Sequence, residues 1–141
     1  MRRPSRTLLA FLLAGPAMLP GRAALADAAA NIAGEATHST DGAEIYRQVC
    51  QGCHMQNGKG GTGAGTIPAL AGNPKLASAS YPVFMVLNGR GGMPWFGTML
   101  NDAQVASVVN YVRTHFGNHY TDSVKPEDVA QQRGPAPTME K

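Results

Sequence analysis

The chain reads as a small all-α domain, and three observations predict that class. Val105, Val108, Val109, Val112 and Phe116 recur at offsets 0, 3, 4, 7 and 11, a single helical stripe. Asp41, with Glu44 three residues on, forms a capping-box pattern ahead of the apolar Ile45, Tyr46 and Val49. That first helix runs into Cys50-Gln51-Gly52-Cys53-His54, whose two thiols, three residues apart, face the same way on a helical turn.

The 141 residues suit one small domain, preceded by a segment of different character. Arg2, Arg3 and Arg6 form a basic start, residues 7–19 are apolar but too few to span a bilayer as an ordinary helix, and Ala24-Leu25-Ala26 is a small-x-small cleavage pattern. Residues 1–26 are expected to be a signal peptide cut after Ala26, with an uncleaved anchor as the alternative. The expected location is the periplasm, with no membrane span after cleavage. The whole chain has 12 Lys and Arg against 9 Asp and Glu, a net of +3. Arg2, Arg3, Arg6 and Arg22 all lie before Asp27, so residues 27–141 carry 8 basic and 9 acidic residues, a net of −1. The basic balance thus belongs to the targeting segment. No basic patch argues for nucleic-acid binding, and steering by net charge is expected to be weak.

Residues 27–40 are small and polar and read as a flexible lead-in, and the domain proper is expected at 41–117. Within it, Cys50 to His54 is the Cys-x-x-Cys-His pattern of covalent haem c attachment. Each thiol can add to one vinyl group of a single haem, and His54 can present an imidazole nitrogen to the iron. A redox-active Cys-x-x-Cys pair would follow a strand, and none precedes Cys50. A zinc site would need more paired Cys or His. The thiols are the only two in the chain. Because the core is small for its length, a buried haem is expected to supply apolar surface, leaving the apo form poorly folded.

Residues 57–66 hold Gly58, Gly60, Gly61, Gly63 and Gly65. They do not make a phosphate loop, since no strand precedes them and no Gly-Lys-Ser/Thr ends them. They suit a backbone passing close to a flat cofactor. A short helix is expected to begin at Pro82, run through residues 83–87 and stop at Asn88-Gly89. Arg90-Gly91-Gly92 then leads to Met93-Pro94-Trp95-Phe96. Asn101 caps the final helix of the domain, with Asp102 in its first turn, Gln104 at the capping-box position, and Gly117-Asn118 as its end. Residues 118–141 read as a polar C-terminal extension in which Pro126 can start one short helix. No internal repeat and no second Cys-x-x-Cys-His is present.

These features, in this order, resemble the class I c-type cytochromes. The match covers residues 41–117: a first helix with Gly42 and Tyr46, the Cys50 to His54 motif, Pro68-Ala69-Leu70, and Met93-Pro94 before a final aromatic-containing helix. The resemblance implies the cytochrome c fold, three to five helices around one covalently bound haem. The first and last helices would cross at Gly42, and Tyr46 would pack near Tyr111. It also implies that the Pro68 carbonyl takes the second ring nitrogen of His54 and that Leu70 presses on the haem face. The stretch from Gly92 to Phe96, Asn110 to Arg113, and the tail from Val124 to Arg133 are similar to single-haem bacterial periplasmic cytochromes and to cytochrome domains serving membrane-linked dehydrogenases. Those subunits often carry three haems, and this chain has one motif.

The cofactor-binding set is therefore Cys50, Cys53, His54, Met93, Pro68 and Leu70, with His54 and Met93 as the iron ligands. Met93 follows a flexible Gly-Gly approach, and Pro94 fixes the next φ and cannot continue a helix. The resembling cytochromes also carry their ligand in a Met-Pro-aromatic sequence. Met99 is the rival, with buried packing as its other role. His38, His115 and His119 read as exposed histidines, and Met55 and Met85 as packing near the haem. Trp95 reads as core filling or a propionate contact, and Arg90 as a solvated loop residue.

A His/Met iron keeps both ligands in both oxidation states, and the thioether sulfur favours the ferrous state. The expected function is single-electron transfer from a dehydrogenase or quinol-oxidising complex toward a terminal oxidase, as a carrier and not an enzyme in its own right. An obligate subunit of one dehydrogenase is the first alternative, and a gas-binding or sensing haem c protein the second. A bacterial di-haem peroxidase would need two motifs. A gas-binding helical-bundle cytochrome would carry its motif near the C-terminus.

Overall fold

Asp41 begins the first helix by accepting the Glu44 N–H on its carboxylate at 2.9 Å. The computed structural model describes residues 37–63 and 65–134. The signal-peptide expectation at 1–26 and most of the 27–40 lead-in lie outside them. Helix α1 (Gly42–Ile45) passes into a π-helical turn (Tyr46–Cys50) and then α2 (Gln51–His54), without a break. A two-stranded antiparallel ribbon comes next, β1 (Gly61–Thr62) and β2 (Thr66–Ile67), with Gly61 opposite Ile67 and Thr62 opposite Thr66. After a 3₁₀ turn (Pro74–Ala77) come α3 (Ser80–Asn88), α4 (Asp102–Thr114) and α5 (Pro126–Gln132).

The all-α expectation is borne out, with the small ribbon added inside the glycine-rich loop. The pairing is two residues long, too short to leave a period in the sequence. Helix α3 starts at Ser80, two residues before the expected Pro82. Pro82 is buried in its first turn, where N–H groups have no intrahelical partner and a missing one costs nothing. Gly89 ends the helix at φ 65°, at the expected place.

Helix α4 organises the molecule. Its capping box is reciprocal: Asn101 Oδ1 accepts the Gln104 N–H at 3.0 Å, and Gln104 Oε1 accepts the Asn101 N–H at 2.9 Å. Val105, Val108, Val109 and Val112 are all buried and meet Ile45, Tyr46, Leu76, Val83 and Leu87 in one core. α1, α3 and α5 each pack against α4. The crossing with α1 is close because Gly42 has no side chain. A Cβ there would sit 2.8 Å from the Ser107 carbonyl carbon and 2.9 Å from Tyr111 Cβ. The Tyr46 and Tyr111 rings lie 5.6 Å apart, centroid to centroid.

The segment after Gly117 joins the same core. Val124 and Val129 are buried, and Asn110 clasps Val124 through both backbone groups, 2.8 Å each. On the other side, Gln104 Nε2 donates to the Thr37 and Ser39 carbonyls at 2.8 and 3.0 Å. Arg113 is fully buried, donating to the Leu76 carbonyl at 2.9 Å and to the Asp122 carboxylate at 2.6 Å. Among the described residues no helix is long and apolar enough to cross a membrane.

Candidate functional site

The Cys50 to His54 stretch sits where the first helix changes register. The Gln51 N–H donates to the Tyr46 carbonyl five residues back, so the π turn ends as the motif begins. Both thiols are free, Cys50 half-buried and Cys53 exposed. Burial, and then the neighbouring Cys53, push the Cys50 thiol up to about 12. In the absence of a bound group it is therefore a neutral thiol at physiological pH, which disfavours thiolate attack in disulfide exchange. Among the described residues no cluster of three or more His, Cys, Asp or Glu could hold a metal ion.

His54 is buried, and its Nδ1–H donates to the Pro68 carbonyl at 3.2 Å, an acceptor that fixes the tautomer. Burial lowers the ring's pKa more than the Pro68 bond raises it, which favours neutral imidazole. Nε2 has no protein partner among the described residues and is not fully buried, so its lone pair is left unused by the protein. The backbone around the ring is pinned. The Gly60 N–H donates to the His54 carbonyl at 3.1 Å, and the Tyr46 hydroxyl donates to the Met55 carbonyl at 2.7 Å. Gly60, at φ 63°, lets the chain double back so closely that a Cβ would lie 2.8 Å from the Pro68 oxygen.

Leu70 is half-buried against the core, its N–H donating to the Gly58 carbonyl at 2.7 Å. Sequence reading missed what holds it there. Asn118 is buried just past α4, and its Nδ2 donates to the Leu70 and Val112 carbonyls at 2.9 Å each, while its Oδ1 accepts the Asn73 N–H at 3.0 Å. Its only sequence signal was a helix-ending Gly-Asn pair.

Met93 lies in a tight two-way bridge with Arg90, N–H to carbonyl at 3.1 and 3.0 Å. The stretch after it is laid along α3, with Phe96 N–H on the Val86 carbonyl at 2.9 Å and Gly97 N–H on the Leu87 carbonyl at 3.2 Å. Met99 instead lines a cleft of about 370 Å³ with Gly97, Thr98, Leu100, Gln104 and Arg133, among others; none of the Cys50 to His54 residues borders it. His38, His115 and His119 are exposed, and His115 stacks on Tyr111 at 4.0 Å. Among the described residues, the large exposed hydrophobic ones are Met55, Phe84 and Trp95, at 42, 54 and 37 % exposure. They fall next to the motif, on α3, and two residues after Met93. Apolar side chains left open in those segments, with two unbridged thiols and an unpartnered imidazole nitrogen, fit a flat apolar cofactor attached through the cysteines.

Comparison with known proteins agrees with this chemistry. The family model described as Cytochrome C oxidase, cbb3-type, subunit III matches residues 38–112. The chain belongs to the cytochrome c family. Cytochrome c-552 of Thermus thermophilus is 35% identical over 129 residues, spanning 80% of this chain and 73% of that protein. The fructose dehydrogenase cytochrome subunit of Gluconobacter japonicus is 38% identical over 97 residues, 58% of this chain but 20% of its own length. The gluconate 2-dehydrogenase cytochrome c subunit of Pantoea cypripedii is 37% identical over 107 residues, 67% of this chain and 24% of the subunit. This chain therefore spans about a fifth to a quarter of those dehydrogenase subunits. As a class I, single-haem member of the family, it is an electron-transfer protein with covalently bound haem c.

Proposed function

We propose that this cytochrome passes single electrons in the periplasm, from a dehydrogenase or quinol-oxidising complex toward a terminal oxidase. Cys50 and Cys53 would hold the haem as thioethers, and His54, through Nε2, and Met93 would ligate its iron. When bound, the haem would supply a one-electron iron centre. The protein's part is to keep that centre from changing shape. Pro68 fixes the His54 tautomer and orients the ring. Asn118 holds Leu70 in position to press on the haem face. The Arg90 bridge and the α3 contacts present Met93 from an extended segment. With His54 and Met93 both serving as iron ligands, no coordination site would be left for substrate, which suits a carrier and not an enzyme.

The observation that carries the reading is His54: a buried neutral imidazole with one nitrogen on Pro68 and the other unpartnered. The sulfur ligand is tested directly. In the ferric protein, Met93→Ala should remove the weak far-red sulfur-to-iron band and lower the potential, while Met99→Ala should leave the band in place. The reverse pattern would move the ligand to Met99, and a band lost in neither variant would point to a histidine.

The dehydrogenase subunits among the relatives favour a second arrangement, in which this chain is a fixed subunit of one dehydrogenase and not a free shuttle. Co-purification with a dehydrogenase through size-exclusion chromatography would support that arrangement. The periplasmic assignment rests on cleavage after Ala26, so the secreted chain should begin at Asp27 by mass spectrometry. An intact residue 2–22 segment would defeat it.

A further inference from the structure

Arg133 lies at the end of α5, in sequence far from every residue assigned to the haem, yet it grips the segment that leaves Met93. Its guanidinium makes three bonds in a planar fork. Nε donates to the Asp102 carboxylate at 2.7 Å, one terminal nitrogen to the Gly97 carbonyl, and the other to the Leu100 carbonyl at 2.9 Å. The acidic partner is in the first turn of α4, and the two carbonyls bracket the turn that precedes it. The side chain is about three-quarters covered, at 27 % exposure, and Asp102 is at 33 %. Charge-assisted bonds of this kind are roughly twice as strong as neutral ones, and a fork fixes direction as well as distance.

Apart from Arg133, the Met93 segment is held at its far end by Leu100, buried in the core, with Phe96 packed against that core. Its start is held by the Arg90 bridge and its middle by two backbone bonds to α3. From Gly97 to Leu100 it forms a turn whose internal bonds are Met99 and Leu100 N–H to the Phe96 carbonyl, 2.9 Å each. Without Arg133, the Gly97 and Leu100 carbonyls have no cation to close on. α5 is itself anchored to α4 through the buried Val129. The fork therefore ties the Met93 segment to the rigid centre of the molecule.

We propose that Arg133 is a positioning residue for the methionine ligand, a clamp on the loop that must open before the sulfur can leave the iron. The proposal rests on Met93 being that ligand. A lysine cannot replace the arginine, because one ammonium on a flexible stem cannot reach a carboxylate and two carbonyls in one plane.

Exogenous imidazole displaces a methionine ligand at a rate set by how often its loop opens, and the far-red band reports the loss. In ferric holoprotein, Arg133→Gln should accelerate displacement by about tenfold, the scale of one charge-assisted hydrogen bond, and Arg133→Lys by less. Asp102→Asn, which spares both carbonyl bonds, gives a smaller acceleration and serves if Arg133→Gln fails to accumulate. An unchanged displacement rate in these variants, with the band intact, overturns the clamp. So does a lower denaturation midpoint with no change in displacement, which would make Arg133 only a fastener for α5. A wild-type protein without the band, or a Met93→Ala variant that keeps it, instead overturns the ligand assignment on which the clamp rests.

Discussion

Cys50 and Cys53 are the only thiols in the chain, so attachment depends on them alone. Changing either to Ala should weaken covalent attachment, and changing both should abolish it. Haem surviving acid extraction from the double variant would show that attachment lies elsewhere. The chemistry of this motif was legible because five adjacent residues carry it. Asn118 and Arg133 were not legible, for a shared physical reason. Each acts through side-chain bonds to backbone carbonyls 33 to 48 residues away, and nothing local marks a polar residue as having such partners. Arg113 is a further case: nothing local marks it as buried, yet it donates to the Leu76 carbonyl and the Asp122 carboxylate.

At the scale of elements, what was readable had either a period or a cap. The α4 stripe from Val105 to Val112 and its Asn101–Gln104 box are both local, and both are present, but the helix ends at Thr114, short of the expected Gly117-Asn118, and Phe116, at φ 58°, lies beyond it. The π turn and the ribbon have no such signature. The first is one hydrogen bond displaced by a residue, the second two residue pairs. The α1–α4 crossing makes the sharpest prediction here. Gly42→Val should destabilise the folded protein by about 1–3 kcal/mol, because the added atoms meet the Ser107 carbonyl and Tyr111 at a close helix contact. Denaturant unfolding of the holoprotein measures it. An unchanged midpoint would mean the two helices can separate freely.

For the molecule as a whole, sequence reading divided the chain at residue 117, on the polarity of the residues beyond it. The described part of that tail buries two apolar residues in the core, Val124 and Val129, five positions apart, and packs Tyr120 against it. That spacing is too sparse to register as a helix face. Charge is the other whole-molecule property. Residues 27–141 carry 8 basic and 9 acidic groups, so partner docking should rely little on long-range attraction. The second-order rate of electron transfer to a redox partner should change less than about threefold between roughly 0.01 and 0.15 M ionic strength. A steep fall with salt would reveal a concentrated charged patch that the near-neutral total conceals.

The π turn at Tyr46–Cys50 has a consequence in rotation. Each residue of an α-helix advances the chain by about 100° around the axis. The one extra residue accommodated by a five-residue bond lets the helix keep its Gly42 side against α4 while turning its far end independently. The turn thus acts as a phase shifter between two bearings on one rod. The first is set by the need to touch another helix, and the second by where two thiols and an imidazole must aim. With four-residue bonds throughout, those bearings would be locked together, and the motif would point about 100° away from its present azimuth.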